Sequence, residues 1–159
     1  MIRKNSDWKL KAGGGSFAII ASRYNARYVN AMVRAAQSEL KRAGAKKIQI
    51  VRVPGAYEIP VVATRLARAG KYSAIICLGL ILRGETVHAA HIGEAVSRAL
   101  MEIQIACEIP VIHEVLLLEN KEQARVRCLN PKHNRGTEAA QTALIMARVM
   151  KSLDNESAF

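Results

Sequence analysis

"SAIICLGLIL", residues 73–82, decides the architecture of this chain, and "RGETVHAAHIGEA", residues 83–95, follows it directly. A strand with one wet face alternates apolar and polar residues; this run does not. Both of its faces are therefore covered, as in the interior of a parallel sheet with helices on either side. Arg83-Gly84-Glu85-Thr86 ends the run. A helical period then holds over residues 87–108, with Ile92, Val96, Ala99, Leu100 and Ile103 on the inward face.

The same grammar repeats on both sides. "SFAIIAS" (residues 16–22) is a short β-rich run. Residues 26–44 carry Val29, Met32, Val33, Ala36 and Leu40 on one helical face and close at Gly44. "KKIQIVRV" (residues 46–53) is a strand, broken by "VPGAYEIP". Pro60 suits the first turn of a helix that buries Ile59, Val62, Ala63 and Leu66 and stops at Gly70. "PVIHEVLLL" (residues 110–118) is the fourth strand, and helices are expected over residues 120–128 and 137–152. Strands alternating with helices predict an α/β fold, a three-layer α/β/α sandwich around a four-stranded parallel sheet.

A chain of 159 residues fits one domain, 1–159, and no Gly/Ser or Pro-rich linker divides it. Residues 1–15 read as an N-terminal arm, in which Gly13–Gly15 would let the segment reach a neighbouring subunit or simply hang free. Residues 153–159 read as a frayed tail. The apolar runs stop well short of the ~20 residues of a bilayer span, and the basic start lacks the apolar stretch of a secretion signal. Cys77, Cys107 and Cys128 form no CxxC pair and sit in apolar segments, as buried thiols do in a reducing compartment. A cytoplasmic protein without a membrane partner is expected.

The net charge is +11, from 24 basic and 13 acidic residues. The basic residues are spread along the chain, and only 4% of residues are aromatic, too few for a base-stacking platform. The charge favours anionic substrates in general rather than a specific nucleic-acid partner.

In sheets of this kind ligands bind beyond the carboxyl ends of the strands. Four places qualify: Arg23-Tyr24-Asn25, Pro54 to Glu58, Leu80 to His88, and the region after His113. At the opening stretch, a glycine-broken turn into a helix start offers free amides and a positive dipole end to a phosphate. Glu85 would contribute through its N–H. Thr86 would either do the same or cap the helix with its hydroxyl. His88, in the first turn, is either a surface histidine or a general acid/base tuned between helix dipole and phosphate. His91 lies one turn on, but three protein ligands with metal-binding spacing are not evident, so no metal is expected. Tyr24 could stack on a planar ring or cover the sheet. Glu58 could accept from sugar-like hydroxyls or serve as a helix-start charge.

"SRYN", "VPGAYEIP", "GLILRGETVH", "PVIHEVLLLENKEQA" and "NRGTEAAQTALIMA" occur in this order, and from about Phe17 to Leu153 the chain resembles the lumazine synthases. The resemblance implies a flavodoxin-like strand order and a cofactor-independent condensation. In it 5-amino-6-(D-ribitylamino)uracil joins 3,4-dihydroxy-2-butanone 4-phosphate through an imine; phosphate and water leave as the second ring closes. It implies that Tyr24 stacks on the pyrimidine. Ala56, Tyr57 and Glu58 would hold the ring substituents and ribityl chain, and the backbone of Leu80, Ile81 and Leu82 would read the pyrimidine edge. Glu85, Thr86 and Arg127 would bind phosphate, His88 would transfer protons, and Arg135 would support with its charge. His113 takes the place of a phenylalanine that a neighbouring subunit supplies. The resemblance further implies a homo-oligomer built from pentamers with sites between subunits, in some members an icosahedral shell, with riboflavin synthase as a candidate partner.

Some positions depart from the family's usual residues: Ala89-Ala90 follow His88, Leu117-Leu118 replace a threonine pair, and Arg135 replaces lysine. Two other readings stand beside the enzyme: a shell paralogue that binds lumazine or flavin without turnover, and a basic nucleic-acid binder.

Overall fold

The computed structural model describes residues 11–84 and 86–156. Four strands, β1 (Ser16–Ser22), β2 (Lys47–Val53), β3 (Ala74–Leu82) and β4 (Val111–Leu118), form one sheet in the order β2-β1-β3-β4. Every pair is parallel. Around it lie α1 (Ala26–Arg42), α2 (Ile59–Arg68), α3 (His88–Cys107), α4 (Lys121–Ala124) and α5 (Arg135–Glu156). This is the expected α/β/α sandwich with flavodoxin-like order.

Two cores result from strand alternation. Phe17, Ile19, Ala21, Ile76, Leu78 and Ile112 point into one, against Met32, Ala36 and Leu40 of α1 and Ala139, Ala140 and Leu144 of α5. Ala18, Ile20, Ile75, Cys77, Val111 and Val115 point into the other, against α2 and α3. The run from Ala74 to Leu80 is buried throughout because β3 is flanked by strands on both sides and helices on both faces.

Helix ends follow local chemistry. Gly44 and Gly70 adopt left-handed φ after α1 and α2, the conformation in which an added Cβ is penalised. Glu108 takes the same region after α3 without being glycine, at a cost of about 1 kcal/mol. Gly13 and Gly14 are also left-handed, and the turn they make lies against the body: Ala12 N–H donates to Ala43 O at 2.8 Å and Lys46 N–H to Gly15 O at 2.9 Å. Most of the N-terminal arm, residues 1–10, falls outside the described residues, as do residues 157–159.

The carboxyl-terminal third departs from expectation in two ways. Residues 120–128 are not one helix: α4 lasts a single turn, started by the Asn120 side chain accepting from Gln123 N–H at 2.9 Å. It widens into a π-helical turn, Arg125–Leu129. Asn134 Nδ2 then takes the Cys128 carbonyl at 2.6 Å, an acceptor that a continuing α-helix would have used itself. The other oxygen-bearing end of the same side chain, Oδ1, accepts Gly136 N–H at 2.8 Å, so Asn134 caps α5 and starts it two residues before Thr137. At its far end α5 runs on through residues 153–156, which the sequence had suggested were frayed.

Candidate functional site

The sheet order reverses between β1 and β3, because the chain steps outward to β2 on one side and to β4 on the other. Beyond the carboxyl ends of these strands such folds leave a crevice. Its floor is knit by backbone. Arg23 N–H donates to Val53 O at 2.8 Å, Tyr24 N–H to Pro54 O at 3.2 Å, and Asn25 Nδ2 to Leu80 O at 2.8 Å. Asn25 is left-handed, which asparagine tolerates, and begins α1. It thereby ties the end of β1 to the end of β3.

β3 outruns its partner at this point. Its last rung to β1 is Ala21 with Leu78, yet the strand continues to Leu82, held only by β4 through Leu82 with Leu118. Along Leu80, Ile81 and Leu82 the β1-facing edge has no strand partner; Asn25 occupies one carbonyl, that of Leu80. Such an edge can hydrogen-bond the rim of a planar heterocycle.

Tyr24 is 69% exposed, and its ring lies on the backbone of Gly55, where a Cβ would approach Cδ2 to 3.0 Å. A larger residue at position 55 would push the Tyr24 ring and the Glu58 carboxylate outward. Gly55 N–H also donates to Glu58 Oε2 at 2.9 Å, leaving the other carboxylate oxygen at an exposed position. Ala56 is buried beneath, and Tyr57 is exposed. Ser22, at the end of β1, has a buried hydroxyl with no hydrogen-bond partner among the described residues. Arg23 and Arg52 add positive charge; burial and then Arg23 hold the Arg52 guanidinium below its usual pKa.

On the far side, Thr86 Oγ1 accepts from His88 N–H at 3.4 Å, while Val87 holds the cap position of α3 with no side-chain cap bond. His88 is the first residue of α3 and is exposed. Gly84 is not left-handed and has open space where a Cβ would go, so the turn itself does not demand glycine there. Glu85 lies outside the described residues.

Of the remaining expected residues, His113 lies on the face of β4 that meets α3, while Arg127 and Arg135 belong to the π-helical turn and α5 on the other face; no hydrogen bond or ion pair joins the three to Tyr24, Thr86 or His88 among the described residues. His113 Nδ1 accepts from Val115 N–H at 3.1 Å and Nε2 pairs with Ser97 Oγ at 2.7 Å. This pattern requires a neutral ring with its proton on Nε2, and burial lowers its pKa in the same direction. Arg135 pairs with Glu138 at 2.5 Å. Glu114, next to His113 on β4 but on the opposite face, was passed over by sequence reasoning. Its signal was an acidic residue at an inward position between Ile112 and Leu116. Burial pushes its carboxyl up to about 7, against the pull of Arg135, with Glu138 adding to the rise and Arg127 opposing it. Among the described residues no three His, Cys, Asp or Glu side chains are grouped to hold a metal ion.

A doubly wound parallel sheet with an open strand edge and an exposed aromatic ring at its switch point defines the class of α/β proteins whose crevice lies at the carboxyl ends of the strands. The particular family is that of 6,7-dimethyl-8-ribityllumazine synthase, to which this chain belongs: residues 14–151 match its model. The 6,7-dimethyl-8-ribityllumazine synthases of Xanthomonas oryzae pv. oryzae (strain PXO99A) and Xanthomonas campestris pv. campestris (strain B100) are each 41% identical to it over 139 residues. That of Xanthomonas axonopodis pv. citri (strain 306) is 40% identical. Each alignment covers 86% of this chain and 90% of the relative.

Proposed function

We propose that this chain condenses 5-amino-6-(D-ribitylamino)uracil with 3,4-dihydroxy-2-butanone 4-phosphate to 6,7-dimethyl-8-ribityllumazine, releasing phosphate and water. The observation that carries the reading onto this chain is the unpartnered edge of Leu80–Leu82 at the switch point, beside the exposed Tyr24 ring on Gly55. The edge reads the pyrimidine, the ring stacks on it, and Ala56, Tyr57 and Glu58 hold the substituents and ribityl chain. Orientation of two substrates supplies much of the rate. His88 moves protons as the imine forms and phosphate departs. Thr86 and the amides at the start of α3 hold the phosphate from one side, Glu85 joining through its N–H, and Arg127 from the other. The residues of the chain act here without a cofactor.

The site is shared between copies of the chain. Glu114, the strand residue that Arg127 and Arg135 approach, lies four residues before Leu118, about 13 Å short of the strand ends at the usual rise. One copy's β4 corner, with His113, Arg127 and Arg135, completes the crevice of the next. Apolar surface supports such packing: Val61 on α2 and Met101 and Ile105 on α3 are all more than half exposed. A groove of about 320 Å³ runs between these two helices. No helix among the described residues is long and apolar enough to cross a membrane. The free thiols Cys77, Cys107 and Cys128 suit a reducing, cytoplasmic setting.

Mixing the two substrates and following lumazine absorbance tests the reading. Arg127→Ala should raise KM for the butanone phosphate about 10- to 100-fold, the worth of a charged hydrogen bond. Unchanged constants would remove Arg127 from the site. Fluorescence quenching of added lumazine with no turnover would instead favour the non-catalytic shell protein that the Ala89-Ala90 pair suggests.

A further inference from the structure

Helix α3 meets β4 along one stripe of its surface. Gly93 makes room for Leu117, whose Cδ2 lies 3.5 Å from the place of an added Cβ. One turn on, Ser97 reaches His113, and two turns further Gln104 reaches Val111. β4 is an outer strand, and two of its N–H groups take side-chain acceptors in place of a further strand. Val111 N–H donates to Gln104 Oε1 at 2.9 Å, and Val115 N–H to His113 Nδ1 at 3.1 Å.

Both nitrogens of His113 are therefore engaged by its own chain. Nδ1 accepts, so the ring proton sits on Nε2 and is donated to Ser97 Oγ at 2.7 Å. That direction settles what the pair can do. A serine made nucleophilic by histidine gives its proton to a bare Nε2; here Nε2 holds the proton, so Ser97 accepts and no nucleophile is made. Two bonds at separate corners fix the plane of the ring. Ser97 and His113 are both exposed, and what the ring leaves for another molecule is its flat face. His88 is the opposite case, an exposed imidazole with neither ring nitrogen bonded among the described residues.

We propose that Ser97 is a positioning residue for ligand stacking: with Val115 N–H it locks His113 as a neutral plate that meets the pyrimidine by its face and exchanges no proton. The inference rests on the site proposed above, in which this side of β4 completes the crevice of the next copy. The two histidines then divide the work, the untied ring of His88 moving protons and the tied ring of His113 stacking. A ring ordered beforehand spares the ligand the cost of ordering it, about 2- to 10-fold in affinity.

Ring 15N NMR of the whole protein at neutral pH should show His113 neutral and protonated on Nε2. In the two-substrate assay, Ser97→Ala should raise KM for 5-amino-6-(D-ribitylamino)uracil about 2- to 10-fold. The kcat and the KM for the butanone phosphate should move much less. Where turnover is too slow to follow, the dissociation constant of the uracil is read instead. Ser97→Thr keeps the hydroxyl and should restore the wild-type value. In a His113→Phe background, where no nitrogen remains to be tied, Ser97→Ala should add nothing further. Alanine at an exposed helical position leaves the fold intact. A wild-type ring protonated on Nδ1, an equal penalty in both backgrounds, or an effect confined to kcat overturns the proposal. Wild-type turnover with Ser97→Ala silent in every constant overturns it too, and leaves the site reading standing. A wild type that neither turns over nor binds the uracil overturns both.

Discussion

At the scale of single residues, adjacent positions on β4 carry opposite pH signatures. His113 is held neutral by Val115 N–H and Ser97, with its pKa below the usual 6.5. The unfolded chain binds that proton more readily, so the group's contribution is present above pH 6.5 and lost as pH falls towards its folded value. Glu114 has the reverse sign. Its carboxyl is raised from 4.5 to about 7, so its contribution is full below pH 4.5 and lost as pH rises through 7. Urea midpoints measured from pH 4 to 8 should therefore show His113→Gln losing the acid-side decline of the wild type. An acid limb identical in variant and wild type would mean that the ring is protonated in the folded protein. Of the residues at the crevice, Tyr24, Glu58 and His88 were legible one at a time, since each carries its chemistry in its side chain. Asn25 was not, because its use depends on the Leu80 carbonyl, 55 residues away.

Elements were read well where one periodicity governed them and poorly where a distant side chain did. β1 has the expected bounds, and α3 differs by one residue at each end, because burial on a continuous face sets both. The segment from Asn120 to Gly136 differs most. There Asn134 withdraws the Cys128 carbonyl and caps α5, so one side chain ends one helix and begins the next. The result seats Gly136 against α1, where an added Cβ would fall inside the Met32 carbonyl. Backbone cannot retreat as a side chain can. Gly136→Ala should thus lower stability by about 3 kcal/mol or more, read from the urea midpoint, well beyond the propensity gain of alanine in a helix. An unaltered midpoint would show that α1 and α5 can part at no cost.

For the molecule as a whole, the proposed site draws on two copies of the chain, the strand-end crevice of one and β4 with its flanking turn in the next. Activity should therefore follow assembly. Light scattering should give a multiple of the 17.4 kDa chain mass, and Met101→Glu with Ile105→Glu should yield smaller species that turn over little substrate. Fully active monomers would place both groups in one site after all. Charge belongs to this scale too. The +11 excess is shared by Lys and Arg along the chain, and it raises the encounter rate with anionic substrates in a salt-dependent way.

The order of strands and helices, both faces of β3, the start of α1 near Asn25 and the family itself could be read without coordinates. Each depends on residue type and local spacing, which a linear chain displays in full. Tertiary structure decided the rest. It left the β1-facing edge of Leu80–Leu82 without a strand partner by stopping β1 early, laid Tyr24 on Gly55, and converted residues 125–129 to a π turn. These follow from which segments lie side by side, and the pairing of residues far apart in the chain is set by the packing of the entire core rather than by any stretch of it.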